Sequence, residues 1–266
     1  MPVDLPTFAA ALGRLLEATG EARLPALVQA LRAGVAFDHW FAVLYRRDQA
    51  PRVLGVAGTD EPEPPYHAGP YLLDPFFHRF QAGIFGWALL GEIAPAGFAA
   101  SDYVTGYFGA LGVAHELGFV APLPGGEAFH LSLTRSRGAQ PFSRRERVWL
   151  EDLAPLVAAA GRQIAPAEQP DAAATSLHAS LTRAFETFGA SVLTAREGEV
   201  VRLLLQGHLS KAIARRLGIS PGTARNHLKR IYPKLGVASH SELYALFLQA
   251  LRVAEGEGDP LGRLAR

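Results

Sequence analysis

The chain has 266 residues, long enough for two average domains with a core each and short for three. Hydrophobic residues make up 49% and charged residues 19%, which excludes a disorder-dominated chain, and the lack of any cysteine excludes a disulfide framework, thiolate metal sites and a cysteine nucleophile. The net charge is only +1, but residues 191–252 hold ten Lys and Arg against three acids while residues 1–190 hold fourteen against nineteen, so a polyanion-binding role falls to the carboxy-terminal part.

Asp4 and Pro6 stand where a leader would carry a basic and then an apolar segment, and no run approaches the roughly eighteen apolar residues of a membrane span, so a cytoplasmic protein is expected. Apolar spacing near 3.6 predicts helices over 6–18 (Phe8, Leu12, Leu15, Leu16) and 24–33 (Leu24, Leu27, Val28, Leu31). Trp40 to Tyr45 and Arg52 to Val56 read as a strand pair joined by Arg47-Asp48-Gln49-Ala50-Pro51. The Pro- and Gly-rich stretch 58–70 reads as a loop, 71–81 resumes a helix, and 83–97 has no clear period. Ser101-Asp102 opens a helix to Leu111, and 117–123 and 128–134 are strands about Gly125-Gly126. Ser143 and Glu146 form a capping box for a helix bearing Val148, Trp149, Leu153 and Leu156. Residues 166–175, rich in Ala and Pro, read as a linker.

The carboxy-terminal part is more explicit. Thr194 and Glu197 form a second capping box before a helix to Gln206, Gly207 can end it in a left-handed conformation, and Ser210 can cap the next helix. Gly218-Ile219 makes a turn, and Ser220-Pro221 pairs an N-cap with a proline at the first helical position. Ala224, Leu228, Ile231 and Leu235 then form one stripe, with Arg225, Asn226 and Lys229 pointing away and Thr223 and Arg230 beside them. Such an outward face of donors and cations suits a major groove about 12 Å wide, which admits one helix. Lys211, Arg215 and Arg216 on the preceding helix are placed to meet phosphates.

These residues resemble the LuxR-type helix-turn-helix family, through Leu193-Thr194-Ala195-Arg196-Glu197, Ile213-Ala214, Leu217, Ile219-Ser220, Thr223, Asn226-His227-Leu228 and Ile231 to Val237. The resemblance implies a four-helix unit that binds DNA through its third helix and dimerises through the fourth, here Ser241 to Leu251 with Leu243, Leu246, Phe247 and Ala250 on its apolar side. Two positions depart from the pattern. Gly198 should cost about 1 kcal/mol against Ala, and Pro233, on the outward face, should bend or shorten the recognition helix.

The expected fold class is α+β, with an amino-terminal antiparallel sheet between helices, an α/β/α sandwich of the general GAF or PAS kind, ahead of the all-α unit. No receiver-type acidic cluster, phosphate loop, nucleophile elbow or metal spacing is present, so neither an enzyme nor a cofactor is expected. Asp74-Pro75, Trp87, Gly112 to Gly118, Pro122, Gly126 and Leu131-Ser132 resemble the autoinducer-binding domain of quorum-sensing regulators. That resemblance implies a small-molecule pocket with Asp74 and Trp87; Tyr71 and Phe77 are the aromatic neighbours that bare chemistry adds. Tyr66 and Tyr71 do not match the two aromatics that usually precede the Asp. Asp74 reads equally as an N-cap for Pro75, Tyr103, Tyr107 and Phe108 as core, His130 as facing either way, and His115-Glu116 as a solvated loop pair.

The expected organisation is therefore a sensing and dimerisation unit over 1–165, a linker over 166–190, a DNA-binding unit over 191–252 and a flexible tail over 253–266. The expected partners are double-stranded DNA, a small-molecule effector and a second copy of the chain, with RNA polymerase left open. The competing expectation is a DNA-binding regulator that needs no ligand or is gated by a protein partner.

Overall fold

The structure is a computed structural model that describes residues 4–57, 66–95, 98, 112–165, 171–253 and 258–264. Helices α1 (Leu5–Glu17) and α2 (Arg23–Arg32) open the chain where the apolar spacing places them. Strands β1 (His39–Tyr45), β2 (Arg52–Ala57), β3 (Gly86–Leu89), β4 (Val113–Pro122) and β5 (Ala128–Ser136) form one antiparallel sheet in the order β2-β1-β5-β4-β3. Helix α3 (Pro75–Gln81) follows a 3-10 turn, and α4 (Leu90–Ile93) follows β3, so the stretch without a period resolves into an edge strand and a single helical turn. Helices α5 (Arg144–Asp152) and α6 (Ala154–Ile164) complete the amino-terminal unit. The helix expected over 101–111, with Tyr103, Tyr107 and Phe108, lies outside the described residues.

Successive side chains of a strand face opposite sides, and this period of two divides the sheet into two layers. Trp40, Ala42, Leu44, Phe119, Leu131 and Leu133 pack with Leu27, Leu31 and Val157 from the helices on one side. Val43, Tyr45, Val120 and Ala128 pack with Tyr71, Phe76, Phe77 and Phe80 on the other, and that second core continues into the carboxy-terminal helices. The arrangement is the α/β/α sandwich expected from the sequence.

Helices α8 (Ala195–Leu205), α9 (Ser210–Leu217), α10 (Pro221–Leu235) and α11 (His240–Arg252) make the four-helix unit. Between the two units the residues read as a linker carry α7 (Ala172–Thr187), capped by the Asp171 carboxylate, which accepts from the Ala173 N–H at 2.9 Å. Leu181 and Ala184 bury one side of α7 in the second core, and Phe185 meets the ring of Phe247 on α11 at 5.6 Å. Ala-rich composition signals little bulk, but one leucine, one alanine and the adjacent Phe185 suffice for packing once an apolar neighbour is present.

The tail differs from the flexible segment expected. After α11, Asp259 accepts hydrogen bonds from the Gly189 N–H and the Ser191 N–H, both at 2.9 Å, and α12 (Leu261–Leu264) follows. A single carboxylate thus satisfies two backbone donors in the turn before α8 and anchors residues 258–264 there.

Candidate functional site

Two sites emerge, one on the four-helix unit and one on the sheet. In the first, the capping box at the start of α8 is complete: the Thr194 hydroxyl accepts from the Glu197 N–H, and the Glu197 carboxylate accepts from the Thr194 N–H at 2.9 Å. Lys234 of α10 donates to the same carboxylate at 2.6 Å, so one buried acid ties the first helix to the third. The Lys234 ammonium and the Thr194 amide pull the Glu197 pKa down to about 2.

Gly218 takes the left-handed conformation at the end of α9, and the Ser220 hydroxyl accepts from the Thr223 N–H at 3.0 Å at the start of α10. Ser210, by contrast, lies inside α9 as its first residue, with Leu209 at the N-cap and no side-chain cap. Ala224, Ile231 and Leu235 are buried and Leu228 is half-buried, which turns the opposite face of α10 outward. Lys211, Arg215, Arg216, Thr223, Arg225, Asn226, Lys229 and Arg230 are all exposed. Four of these residues lie on α10 between positions 223 and 229, the stretch that a groove-inserted helix presents to base edges, and among the described residues none of these cations is spent in an ion pair. Pro233 is exposed and α10 runs two residues beyond it, so it neither ends the helix nor disturbs the buried stripe.

The expected dimer side of α11 is placed differently. Leu243, Phe247 and Ala250 are fully buried in their own chain, with Phe185 and Phe188 of the α7 region against Phe247 at 5.6 and 5.4 Å; Leu246 alone of the four is partly exposed. An apolar stripe announces that a face is covered without saying by what, and here α7 reaches it first.

The second site lies on the sheet. Asp74 caps α3, its Oδ1 accepting from the Phe76 N–H at 2.7 Å, while Oδ2 accepts from the hydroxyls of Tyr66 at 2.5 Å and Tyr45 at 3.2 Å. The cap and the polar cluster are thus two uses of one carboxylate. Tyr71 and Phe77 join it, their rings edge-to-face at 4.9 Å, and the Tyr71 hydroxyl shares a hydrogen bond of 2.9 Å with Nδ1 of His178 on α7. Burial raises the Tyr45 and Tyr71 hydroxyl pKa values, so both stay protonated and able to donate.

Trp87 is not part of this group. It pairs with Phe119 in the β3–β4 ladder and packs into the opposite core, while Ala88 takes the side facing Asp74. A one-residue change of parity moves a strand side chain to the other layer, and the sequence around Phe85-Gly86-Trp87 does not reveal that parity.

Residues that sequence reasoning left out complete the face. Tyr45 ends β1 and stacks on His130 at 5.2 Å, which resolves His130 toward this side; its Nδ1 bonds the Phe119 carbonyl at 3.0 Å, and burial lowers its pKa. Glu116, expected in a solvated pair with His115, is buried in β4, and its Oε1 accepts from the Ser132 hydroxyl at 2.5 Å. The signal that could have found it was the alternation Glu116, Gly118, Val120 along the strand. A cavity of about 350 Å³ reaches this edge of the sheet, with Glu116 and Phe98 in its wall and none of Tyr71, Asp74, Phe77 or Trp87.

The two units touch at several points. A Cβ on Gly69, whose φ is +141°, would lie 2.4 Å from Leu251 of α11, and one on Gly207, at φ +86°, would lie 2.9 Å from the backbone of Phe98. Both glycines have a φ that L side chains rarely adopt and both mark close contact between the sheet unit and the helices. Beside them His208 is held near 4 by burial, Arg216 and His78, and burial also lowers His78.

Comparison with known proteins agrees with this division. Residues 191–247 match the family described as bacterial regulatory proteins, luxR family. A putative HTH-type transcriptional regulator in the exeN 3' region of Aeromonas salmonicida is 35% identical over 189 residues, 68% of this chain and 96% of that protein. A monoamine regulon transcriptional regulator of Klebsiella aerogenes is 34% identical over 103 residues, 39% of this chain and 37% of that protein. Among solved structures, the VqsR LBD domain from Pseudomonas aeruginosa superposes with a TM-score of 0.53 at 28% identity, covering 59% of this chain and 95% of that one.

Proposed function

Because the chain belongs to the luxR family of bacterial transcriptional regulators, we propose that it reads a preferred DNA sequence through α10 and that a small molecule bound on the sheet unit controls that reading. The observation that carries the DNA half is the exposed row Thr223, Arg225, Asn226, Lys229 and Arg230 over a buried stripe, backed by Lys211, Arg215 and Arg216. Arg225 and Asn226 read base edges in this account, and the lysines and other arginines hold phosphates.

For the sensing half, Tyr71, Asp74 and Phe77 stand on the sheet face that also touches the DNA-binding unit. A ligand acts only by favouring one arrangement of the two units over another, and the contacts at Gly69 and Gly207 are the ones such a shift would change. The boundaries follow: sensing over 1–165, connection over 166–190 with α7 within it, DNA binding over 191–252 and the tail over 253–266. A cytoplasmic homodimer fits this role; among the described residues no helix is long and apolar enough to cross a membrane.

The experiment is thermal unfolding of the full chain against acyl-lactones, amides, amines and aromatic acids, repeated with Asp74→Asn. A saturable compound that raises the midpoint in the wild type and loses affinity in the variant supports control by a small molecule. A chain that responds to none of them yet binds DNA leaves the regulator gated by a protein partner or by nothing.

A further inference from the structure

Glu116, Thr134 and His39 form a single row across three strands, since Thr134 is the direct partner of Glu116 in the β4–β5 ladder and of His39 in the β1–β5 ladder. Cross-strand partners share a face and stand about 5 Å apart. Each keeps one buried polar atom with no partner: Oε2 of Glu116, Oγ1 of Thr134 and Nδ1 of His39. Their remaining capacity is used, Glu116 Oε1 by Ser132 and His39 Nε2 by the Ser136 hydroxyl at 3.0 Å. Buried polar groups are otherwise almost always paired, so three orphans in one row call for an occupant.

The three atoms have a common chemistry. A carboxylate and a hydroxyl both accept hydrogen bonds, and a neutral imidazole whose Nε2 carries the proton toward Ser136 accepts at Nδ1. An ammonium supplies donors and no acceptor, which suits the Glu116 carboxylate and the Thr134 hydroxyl next to it, while His39 stands two strands from Glu116. Charge points the same way: Asp74 is the second acid on this face, His130 is kept neutral by burial, and among the described residues no cation pairs with Glu116. Arg135, the nearest strand cation in sequence, is committed to Glu146 at 2.5 Å and to the Ala36 carbonyl at 2.9 Å.

We propose that Glu116, the member of the row that lines the adjoining cavity, receives the ammonium group of a small organic amine whose apolar body lies in that cavity, with Thr134 beside it as the neighbouring acceptor. The walls beside Glu116 are Leu89, Leu90, Ala94, Pro95, Phe98 and Phe142, and the volume of about 350 Å³ is at the small end for ligand sites. This assignment names the effector class for the small-molecule control proposed above and rests on that reading. It also gives the effector a route to DNA, because the backbone of Phe98 sits against Gly207 at the end of α8.

The pH dependence has a definite sign. Burial and Asp74 lift the Glu116 carboxyl to about 8, so binding an ammonium requires the group to lose its proton. Among the described residues, the other titratable groups facing this region are Asp74 before α3, His130 on β5, Tyr45 and His39 on β1, and His115 and Glu92 at the cavity, the last paired with Arg147 at 3.5 Å. Amine affinity therefore rises between about pH 6.5 and pH 8 by roughly tenfold, while a neutral ligand shows no such trend.

The test is calorimetric titration of the full chain with hexylamine and 2-phenylethylamine, each against its alcohol, hexan-1-ol and 2-phenylethanol. The amines are expected to bind at least tenfold more tightly than the alcohols, and Glu116→Gln to erase that preference. Thr134→Val, which removes one acceptor and keeps the shape, is expected to reduce the preference several-fold and serves if near-ultraviolet circular dichroism shows Glu116→Gln unfolded. Equal binding of amine and alcohol, no binding of either, or a preference that survives in a folded Glu116→Gln protein overturns the assignment. An acyl-lactone that stabilises the wild type but not Asp74→Asn, without any amine preference, would keep small-molecule control and remove the amine.

Discussion

Glu197 shows how much one side chain can join. It closes the capping box of α8, accepts from Lys234 of α10 and is buried, and its carboxyl is held near 2 by that lysine and the Thr194 amide. A carboxyl with a depressed folded-state pKa contributes stability that is fully present above its unfolded value, about 4.3, and is lost as the pH falls toward its folded value. Glu197→Gln should therefore lower the unfolding midpoint at neutral pH and flatten its decline between about pH 4.5 and pH 2.5, as circular dichroism melts would record; an unchanged acid limb would mean that the Lys234 contact is not made. On the DNA face, Lys211→Ala should weaken binding to every sequence alike and reduce the slope of log affinity against log salt by about one unit. A loss confined to one sequence would place Lys211 on a base instead. These caps and cations were readable from the sequence because each acts within a turn of its own helix. Glu116 was not, since its burial depends on β5 and on what covers the sheet.

At the scale of elements, the recognition helix was legible because its cap, its stripe and its outward cations all follow from a 3.6-residue period. Pro233 tests that reading. Proline in a helix interior costs about 3 kcal/mol relative to alanine, but Pro233 is exposed and near the end of α10, so Pro233→Ala should raise stability by about 1 kcal/mol in urea titrations; a loss would mean the ring fixes the turn into Gly236. Helix α11 teaches the opposite lesson. Its spacing announces an apolar side, and the resemblance assigns that side to a second subunit, yet Leu243, Phe247 and Ala250 are buried within the chain, with Phe185 of α7 against Phe247. Phe247→Ala should cost about 3 kcal/mol or more in the single chain, as a large aromatic lost from a core does. A cost near zero, with a weakened dimer instead, would return the face to the interface. Trp87 was misplaced for a similar reason, because its side depends on the register of β3 against β4.

For the whole molecule, the sheet unit and the DNA-binding helices share one core, and two histidines lie where they meet. His208 is held near 4 by burial, Arg216 and His78, and His78 is lowered by burial, so both favour the neutral form when the units are docked. A lowered histidine contributes stability that is complete above its unfolded value, about 6.5, and is lost as the pH falls toward the folded value. Docking should thus loosen between about pH 6.5 and pH 4.5, seen as faster proteolysis within 166–190 than at neutral pH, and His208→Gln should remove most of that dependence. Equal cleavage at both pH values would separate the histidines from docking. Whether α10 reads sequence is decided by enriching a random pool of duplex DNA on the wild-type chain and on the double variant Arg225→Ala, Asn226→Ala. A preferred motif is expected for the wild type and none for the folded double variant. Enrichment of the same motif by both, or of none by the wild type, would contradict that reading.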